Sequence, residues 1–453
     1  MYHKFIKRKA YKIIDEKYKS STPSLLVDGA RSVGKTTLIK EFLINEDIPY
    51  VEFNLIEQID LLDAINQCKN ASQLFLRLTS YADKELIEGE SIIFIDEIQE
   101  ADDAITAIKW LNENNHYRYI ISGSLLGIKL KNIRSFPVSY MSVIDLHPLD
   151  FEEFLLACSL SQKIIDTLKV SFDNLTPVDE AIHSQMIKLF NLFLLIGGMP
   201  EVVATYLETN NLQKINLVFD KIDKGYLKDI DRYDKDEKFL IKDIYNLIPS
   251  ELNAQNKRFI LKSLNDKNRF YVLESSFVWL INSGVALMVN NVDNPVYPLL
   301  ASKERSLFKL FYLDVGLLSY KLFEGNQKAL LSSNLNINYG MLYEQAVAQQ
   351  LASNGLSLFF NNNKKRGEID FLIEQNNKVI PIEVKSGKDY KRHNALSNLM
   401  NNKTFNYEKG YVFTNQNLSI VNNVLYLPIY MCMFIKKEKI TGDIPVIDLS
   451  SLK

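Results

Sequence analysis

The sequence predicts a multidomain α/β protein whose N-terminal part is a parallel sheet covered by helices. Three observations predict it. Apolar strand-like runs alternate with helical patterns between residues 24 and 121, the arrangement that builds such sheets. From 150 to 235 the pattern becomes helical. From 339 onward a helix, a β-rich hairpin, another helix and further strands make a second α/β unit. At roughly 150 residues per domain, a chain of 453 residues holds about three domains.

Taken in order, residues 1–20 read as a basic amphipathic helix. A strand at 24–27 meets a glycine-rich turn and a helical run from Lys35. A strand at 50–54, helical pattern over 58–87 and a strongly apolar strand at 91–95 follow. A helix at 102–112 and a strand at 117–121, closed by Ser122-Gly123-Ser124, complete the alternation. The helical stretch breaks at Gly197-Gly198-Met199-Pro200, either a structural break or the hinge of a lid. Residues 236–325 are expected to hold short helices and a strand-like tail, with 275–290 as a helix and then a wing. The apolar Phe277, Trp279, Leu280 and Ile281 favour core packing over DNA reading for that helix. The polar stretch 332–338 reads as a linker. The expected units are therefore 1–160, a helical lid at 161–235, a winged-helix-like unit at 236–328 and a C-terminal unit at 329–453.

Composition narrows the function classes. The chain is 47% hydrophobic and 24% charged, as globular proteins are. Its net charge of −2 restricts any nucleic-acid contact to a local patch. Cys68, Cys158 and Cys432 lie far apart and suit a reducing cytosol. The N-terminus lacks a signal-peptide pattern, and the longest apolar run, 424–435, is too short to span a bilayer. A soluble cytoplasmic protein with no membrane partner is expected. No histidine has metal-ligand spacing.

Gly29-Ala30-Arg31-Ser32-Val33-Gly34-Lys35-Thr36 fits GxxxxGK[ST] completely and is followed by Thr37. Glycines let backbone N–H groups close around phosphate oxygens at a helix N-terminus. Lys35 is placed for the β- and γ-phosphates, and the Thr36 hydroxyl for Mg²⁺. The strand Ile92-Ile93-Phe94-Ile95 ends in Asp96-Glu97. A strand buried on both faces delivers such acids to its C-terminal edge, where ligands bind. Asp96 is the candidate for Mg²⁺, and Glu97 for orienting or deprotonating the attacking water. This pairing favours water over another phosphoryl acceptor. Ser122 and Ser124 either sense the γ-phosphate or form a simple turn. Arg31 and Arg134 are candidate charge stabilisers, or solvated arginines.

The C-terminal hairpin follows from spacing. Residues 368–375 and 378–385 flank Asn376-Asn377, a pair that suits a two-residue turn. Residues paired across it then sum to 753, so Asp370 faces Glu383 and Glu368 faces Lys385 on one sheet face. Opposed carboxylates repel unless a cation lies between them, and oxygen ligands suit Mg²⁺ or Mn²⁺. Lys385 is placed to position water or stabilise charge. Lys364-Lys365-Arg366 either touches phosphates or is a solvated loop.

These residues resemble the AAA-like ATPases that carry a domain of unknown function known as DUF4143. The resemblance covers nearly the whole chain. It runs through the glycine loop, Asp96-Glu97-Ile98-Gln99, Ser122-Gly123-Ser124 and Ser135-Phe136-Pro137-Val138. It continues through Pro148-Leu149-Asp150-Phe151-Glu152-Glu153-Phe154, Gly197-Gly198-Met199-Pro200-Glu201 and Phe308-Lys309-Leu310 with Leu313-Asp314-Val315-Gly316-Leu317-Leu318. It ends in Glu368-Ile369-Asp370-Phe371 and Glu383-Val384-Lys385, where the chain also looks like the PD-(D/E)xK signature of the restriction-endonuclease-like fold. Many members have Gly-Arg near 133–138; here Arg134 lacks the glycine. The resemblance implies a P-loop ATPase core, a winged-helix-like middle and a nuclease-like C-terminal domain, with Glu344 as an additional acidic ligand. ATP and Mg²⁺ are the implied cofactors, with Mg²⁺ or Mn²⁺ at Glu344, Asp370 and Glu383. DNA or RNA is a candidate partner through the C-terminal and winged-helix-like units. A homo-oligomer is a candidate assembly. The C-terminal domain either cleaves nucleic acid or only recognises a partner.

Overall fold

The computed structural model describes residues 6–20, 24–68, 70–101, 111–112, 116–123, 141–232, 235–254, 258–260, 270–324, 326–331, 339–363, 365–402, 404–405 and 407–438. Helix α1 (Lys9–Lys19) precedes strand β1 (Ser24–Asp28) and helix α2 (Lys35–Asn45). Then come β2 (Tyr50–Asn54), α3 (Ile59–Asn66), α4 (Ala71–Ser80), β3 (Ile92–Asp96), β4 (Arg118–Gly123) and β5 (Ser142–Asp145). The five strands form one parallel sheet in the order β2-β3-β4-β1-β5.

Alternation along the strands sets both faces of this sheet. Leu25, Val27, Ile92, Phe94 and Ile120 face one way, with Leu38, Ile39 and Phe42 of α2. Leu26, Ile93, Ile95, Tyr119 and Ile121 face the other, with Leu61 of α3 and Leu74 of α4. Each such side chain contributes roughly 1.5–3 kcal/mol on burial. The helix expected over 102–112 lies mostly outside the described residues.

A helical stretch follows: α5 (Phe151–Ala157), α6 (Gln162–Asp173), α7 (Glu180–Ile196), α8 (Pro200–Thr209), α9 (Leu212–Ile230), α10 (Lys235–Asn253) and α11 (Phe270–Asn282). Asp150 and Glu153 form a capping box at the start of α5, satisfying backbone donors that a helix start leaves unpaired. Phe277 and Leu280 of α11 are fully buried. No single helix among the described residues is long and apolar enough to cross a membrane.

The remaining elements are β6 (Ala286–Val292), β7 (Lys303–Tyr312), α12 (Val315–Phe323), α13 (Tyr339–Ser353), β8 (Phe359–Asn363), β9 (Gly367–Gln375) and β10 (Lys378–Lys385). They are followed by α14 (Asn394–Met400), β11 (Gly410–Thr414), β12 (Ser419–Val421) and β13 (Val424–Pro428). Eight strands make a mixed sheet in the order β12-β13-β11-β10-β9-β8-β6-β7.

Two expectations change here. The tail expected before 325 is helix α12, because Asp314 caps it by accepting from Leu317 N. The segment expected as a wing after α11 is instead part of the C-terminal sheet: β6 pairs with β7 antiparallel and with β8 in parallel. The sheet therefore crosses the boundary placed at 328/329. One apolar cluster also joins Ile14, Phe151, Phe190, Tyr245, Phe311 and Phe371, so the expected units share a core.

Candidate functional site

The loop between β1 and α2 is shaped by its glycines. A Cβ on Gly29 would lie 2.3 Å from Leu146 O. Gly34 has φ of 91°, and a Cβ there would lie 3.4 Å from Pro200 Cγ. Lys35 begins α2 and folds back, its Nζ donating to Gly29 O at 2.8 Å and Ala30 O at 2.9 Å. Burial pushes its pKa below the ordinary lysine value, with Glu97, Asp28 and Asp96 opposing.

Strand order explains how the next residues meet. β4 lies between β1 and β3, so the end of β4 stands beside the acids of β3. Asp96 is buried, with Oδ2 accepting from Thr36 Oγ1 at 2.8 Å and from Asn54 Nδ2 at 3.4 Å. Its Oδ1 accepts from Ser122 Oγ. Ser124 and Arg134 lie outside the described residues. Glu97 follows at φ 57° and accepts from Gln99 Nε2. Thr36 and Asp96 supply the hard oxygens that Mg²⁺ requires, and the glycine cradle leaves backbone donors for phosphate.

A cavity of about 480 Å³ opens beside this loop, within the usual range for small-molecule sites. Its lining combines the polar Ser32, Thr36 and Thr37 with the apolar Ile6, Leu38 and Pro200. Pro200 arrives through the Gly197-Gly198 break: Gly198 O accepts from Leu149 N at 2.7 Å, and Gly198 N donates to Asp314 Oδ2 at 2.6 Å. Thr37 lines the cavity, while Ala30 and Val33 are buried and do not line it. Arg31 Nη1 instead donates to Asp229 Oδ1 on α9 at 2.7 Å. Sequence reasoning missed Arg8. Its Nη1 donates to Val33 O at 3.0 Å, its Nη2 to His147 O at 2.6 Å, and its Nε meets Glu153 Oε1 at 3.3 Å. Within a basic N-terminal run it carried no distinguishing signal.

In the C-terminal sheet, Asn376 and Asn377 have φ of 49° and 58°, and the register is Lys378 with Gln375 through Ile382 with Phe371. Pairs therefore sum to 753. Asp370 and Glu383 are both buried, and Asp370 Oδ2 accepts from Val384 N at 2.8 Å. Glu383 meets Lys385 Nζ at 2.9 Å. Burial, with Asp370 and despite Lys385, pushes the Glu383 carboxyl up to about 8. Burial pulls Lys385 down, but Glu383 and Asp370 outweigh it and leave its pKa raised.

Glu368 pairs with a lysine from another strand. It meets Lys309 Nζ of β7 at 2.7 Å, and Lys309 lies 3.9 Å from Glu344 and 4.0 Å from Asp370. Among the described residues, no group of three or more Asp, Glu, His or Cys side chains is placed to hold a metal. Glu344, Asp370 and Glu383 do not form such a group. Arg366 stacks over Phe405 at 4.9 Å; Lys364 is outside the described residues.

Residues 21–155 match the model of an AAA domain, residues 187–328 a domain of unknown function, DUF8612, and residues 339–431 another, DUF4143. No curated protein matches the chain. Similar solved structures include a Walker-type ATPase of Pyrococcus abyssi, at 13% identity and TM-score 0.43, covering 70% of this chain and 96% of that one. A RuvB mutant of Thermotoga maritima is similar at 14% identity and TM-score 0.30, over 62% of this chain and 90% of that one.

Proposed function

The chain carries an AAA domain and a DUF4143 domain, and from that pairing we propose that it binds ATP with Mg²⁺, hydrolyses it, and couples turnover to a C-terminal domain that acts on or binds DNA or RNA. The observation that carries the hydrolytic reading is the meeting of Thr36, Asp96 and Ser122 beside Lys35 and Glu97. Mg²⁺ supplies charge neutralisation at the phosphates when bound, held by Thr36 and Asp96. Loop N–H groups from Gly29 to Thr36 cradle the phosphates. Lys35 leaves the Gly29 and Ala30 carbonyls to pair with them. Glu97 orients the water and takes its proton. Such catalysis is mainly positioning and electrostatics.

Lys35→Ala should abolish turnover. Glu97→Gln should retain ATP affinity and slow phosphate release by roughly 10²–10⁴-fold. Turnover unaffected by both substitutions would overturn the reading.

A second reading is favoured by the lysine that lies among the carboxylates of the C-terminal sheet, Lys309 beside Glu344, Glu368 and Asp370. Here the chain is a nucleotide-gated switch whose nuclease-like domain recognises a partner without cutting it. ATP turnover without any Mg²⁺- or Mn²⁺-dependent nick supports this reading; a nick lost in Asp370→Ala supports the first.

A further inference from the structure

The cation inside the carboxylate cluster is already part of the chain. Lys309 has 0% exposure and comes from β7, outside the 339–431 stretch that matches DUF4143. Its Nζ is 2.7 Å from Glu368 Oε1, 3.9 Å from Glu344 Oε2 and 4.0 Å from Asp370 Oδ1. Those acids come from two elements, α13 and β9. The Phe360 ring covers the ammonium at 5.1 Å, a further favourable contact for a desolvated cation. Buried charges persist when paired in this way.

We propose that Lys309 takes the seat of a divalent ion in this cluster, so that the C-terminal site is closed to metal while β7 stays in place. The proposal deepens the second reading above and rests on the nuclease-like reading only for its choice of metal. A Mg²⁺ or Mn²⁺ ion bound about 2 Å from the Glu344 and Asp370 oxygens would stand within a few ångströms of the Lys309 ammonium, which is 3.9 and 4.0 Å from them. Two cations at that separation in a low-dielectric interior repel strongly.

The strand cannot easily yield. Lys309 pairs with Val289 in the β6–β7 ladder. Tyr312 N donates to Gln345 Oε1 at 3.0 Å, and Gln345 Nε2 donates back to Tyr312 O at 2.6 Å. The other acid, Glu383, is held by Lys385 at 2.9 Å. The chain thus supplies both counter-charges internally.

The test is Mn²⁺ titration by calorimetry into the full chain without nucleotide, using wild type, Asp370→Asn, Lys309→Met and the double variant. Wild type and Asp370→Asn should take up Mn²⁺ identically. Lys309→Met should gain a site roughly tenfold or more tighter than any in wild type, and the double variant should lose it. If Lys309→Met does not fold, Lys309→Met with Glu368→Gln removes one charge of each sign and takes its place. If neither folds, the comparison of wild type with Asp370→Asn decides alone. Asp370-dependent uptake in wild type, or no gained site in a folded variant, overturns the proposal. Wild-type ATP turnover is read separately, so its failure strikes the nucleotide reading and not the role of Lys309.

Discussion

Replacing Arg8 with Met deletes a guanidinium that is 6% exposed and holds three acceptors, the buried Glu153 and Val33 and the half-buried His147. Removing one partner of a buried ion pair costs about 3–5 kcal/mol, because the other charge stays behind. The Val33 and His147 carbonyls also lose a donor, while the methionine stem keeps the packing of the arginine stem. A loss of about 4 kcal/mol near pH 8 follows from these contributions. The urea slope of a chain this long exceeds the ~1–3 kcal/mol per molar of small proteins, so the unfolding midpoint should fall by roughly 1 M.

The pH dependence makes this prediction specific. Burial already pushes the Glu153 carboxyl up, and Arg8 is the largest influence opposing it. Without Arg8 the folded value rises further. A carboxyl raised in the folded state gives stability that is present at acid pH and lost as pH rises through its folded value. The deficit of Arg8→Met should therefore be smaller at acid pH than near pH 8. Adding Glu153→Gln should recover at least half of the deficit at the higher pH. Urea unfolding of the three proteins at both pH values measures all of this. A deficit that is equal at both, or no recovery with Glu153→Gln, would refute the argument.

Two further outcomes are expected. The Asp314 carboxyl is fully buried, and burial raises it from 3.8 to about 6 against the hydrogen bonds from Gly198, Leu317 and Gln349. Its stabilising contribution should be complete below pH 3.8 and fall as pH rises through 6, by about 3 kcal/mol in total; chemical unfolding should show that slope flattened in Asp314→Asn, and parallel slopes would contradict it. In the hairpin turn, Asn377 at φ 58° should tolerate Gly. Val should cost about 1–2 kcal/mol in the left-handed region; equal melting temperatures for the Gly and Val variants would show that the turn is not under this constraint.

What was legible in the sequence was local. The Gly29–Thr36 loop and the Asp96-Glu97 strand end each sit on a single strand-to-loop junction, so spacing alone located them. The hairpin register followed from a two-residue turn and the period of a strand. What was hidden depends on residues far apart in the chain. Arg8 meets Glu153, Gly198 meets Asp314, and Lys309 meets Glu368 only after folding. None of the three has a neighbour in sequence that announces its partner. The polar run at 332–338 carried a linker's composition, yet β6 and β8 pair across it. Strand pairing across such a distance leaves no periodic trace.

That pairing bears on how the protein can be dissected. A fragment beginning at residue 329, chosen by composition or by the DUF4143 match, would lack β6 and β7 and bare the backbone donors and acceptors of β8. Open edges of that kind recruit other chains. The same cut would strip out Lys309 and leave its acidic companions without that ammonium. Insoluble product, or a metal affinity foreign to the intact molecule, is what such a fragment should display.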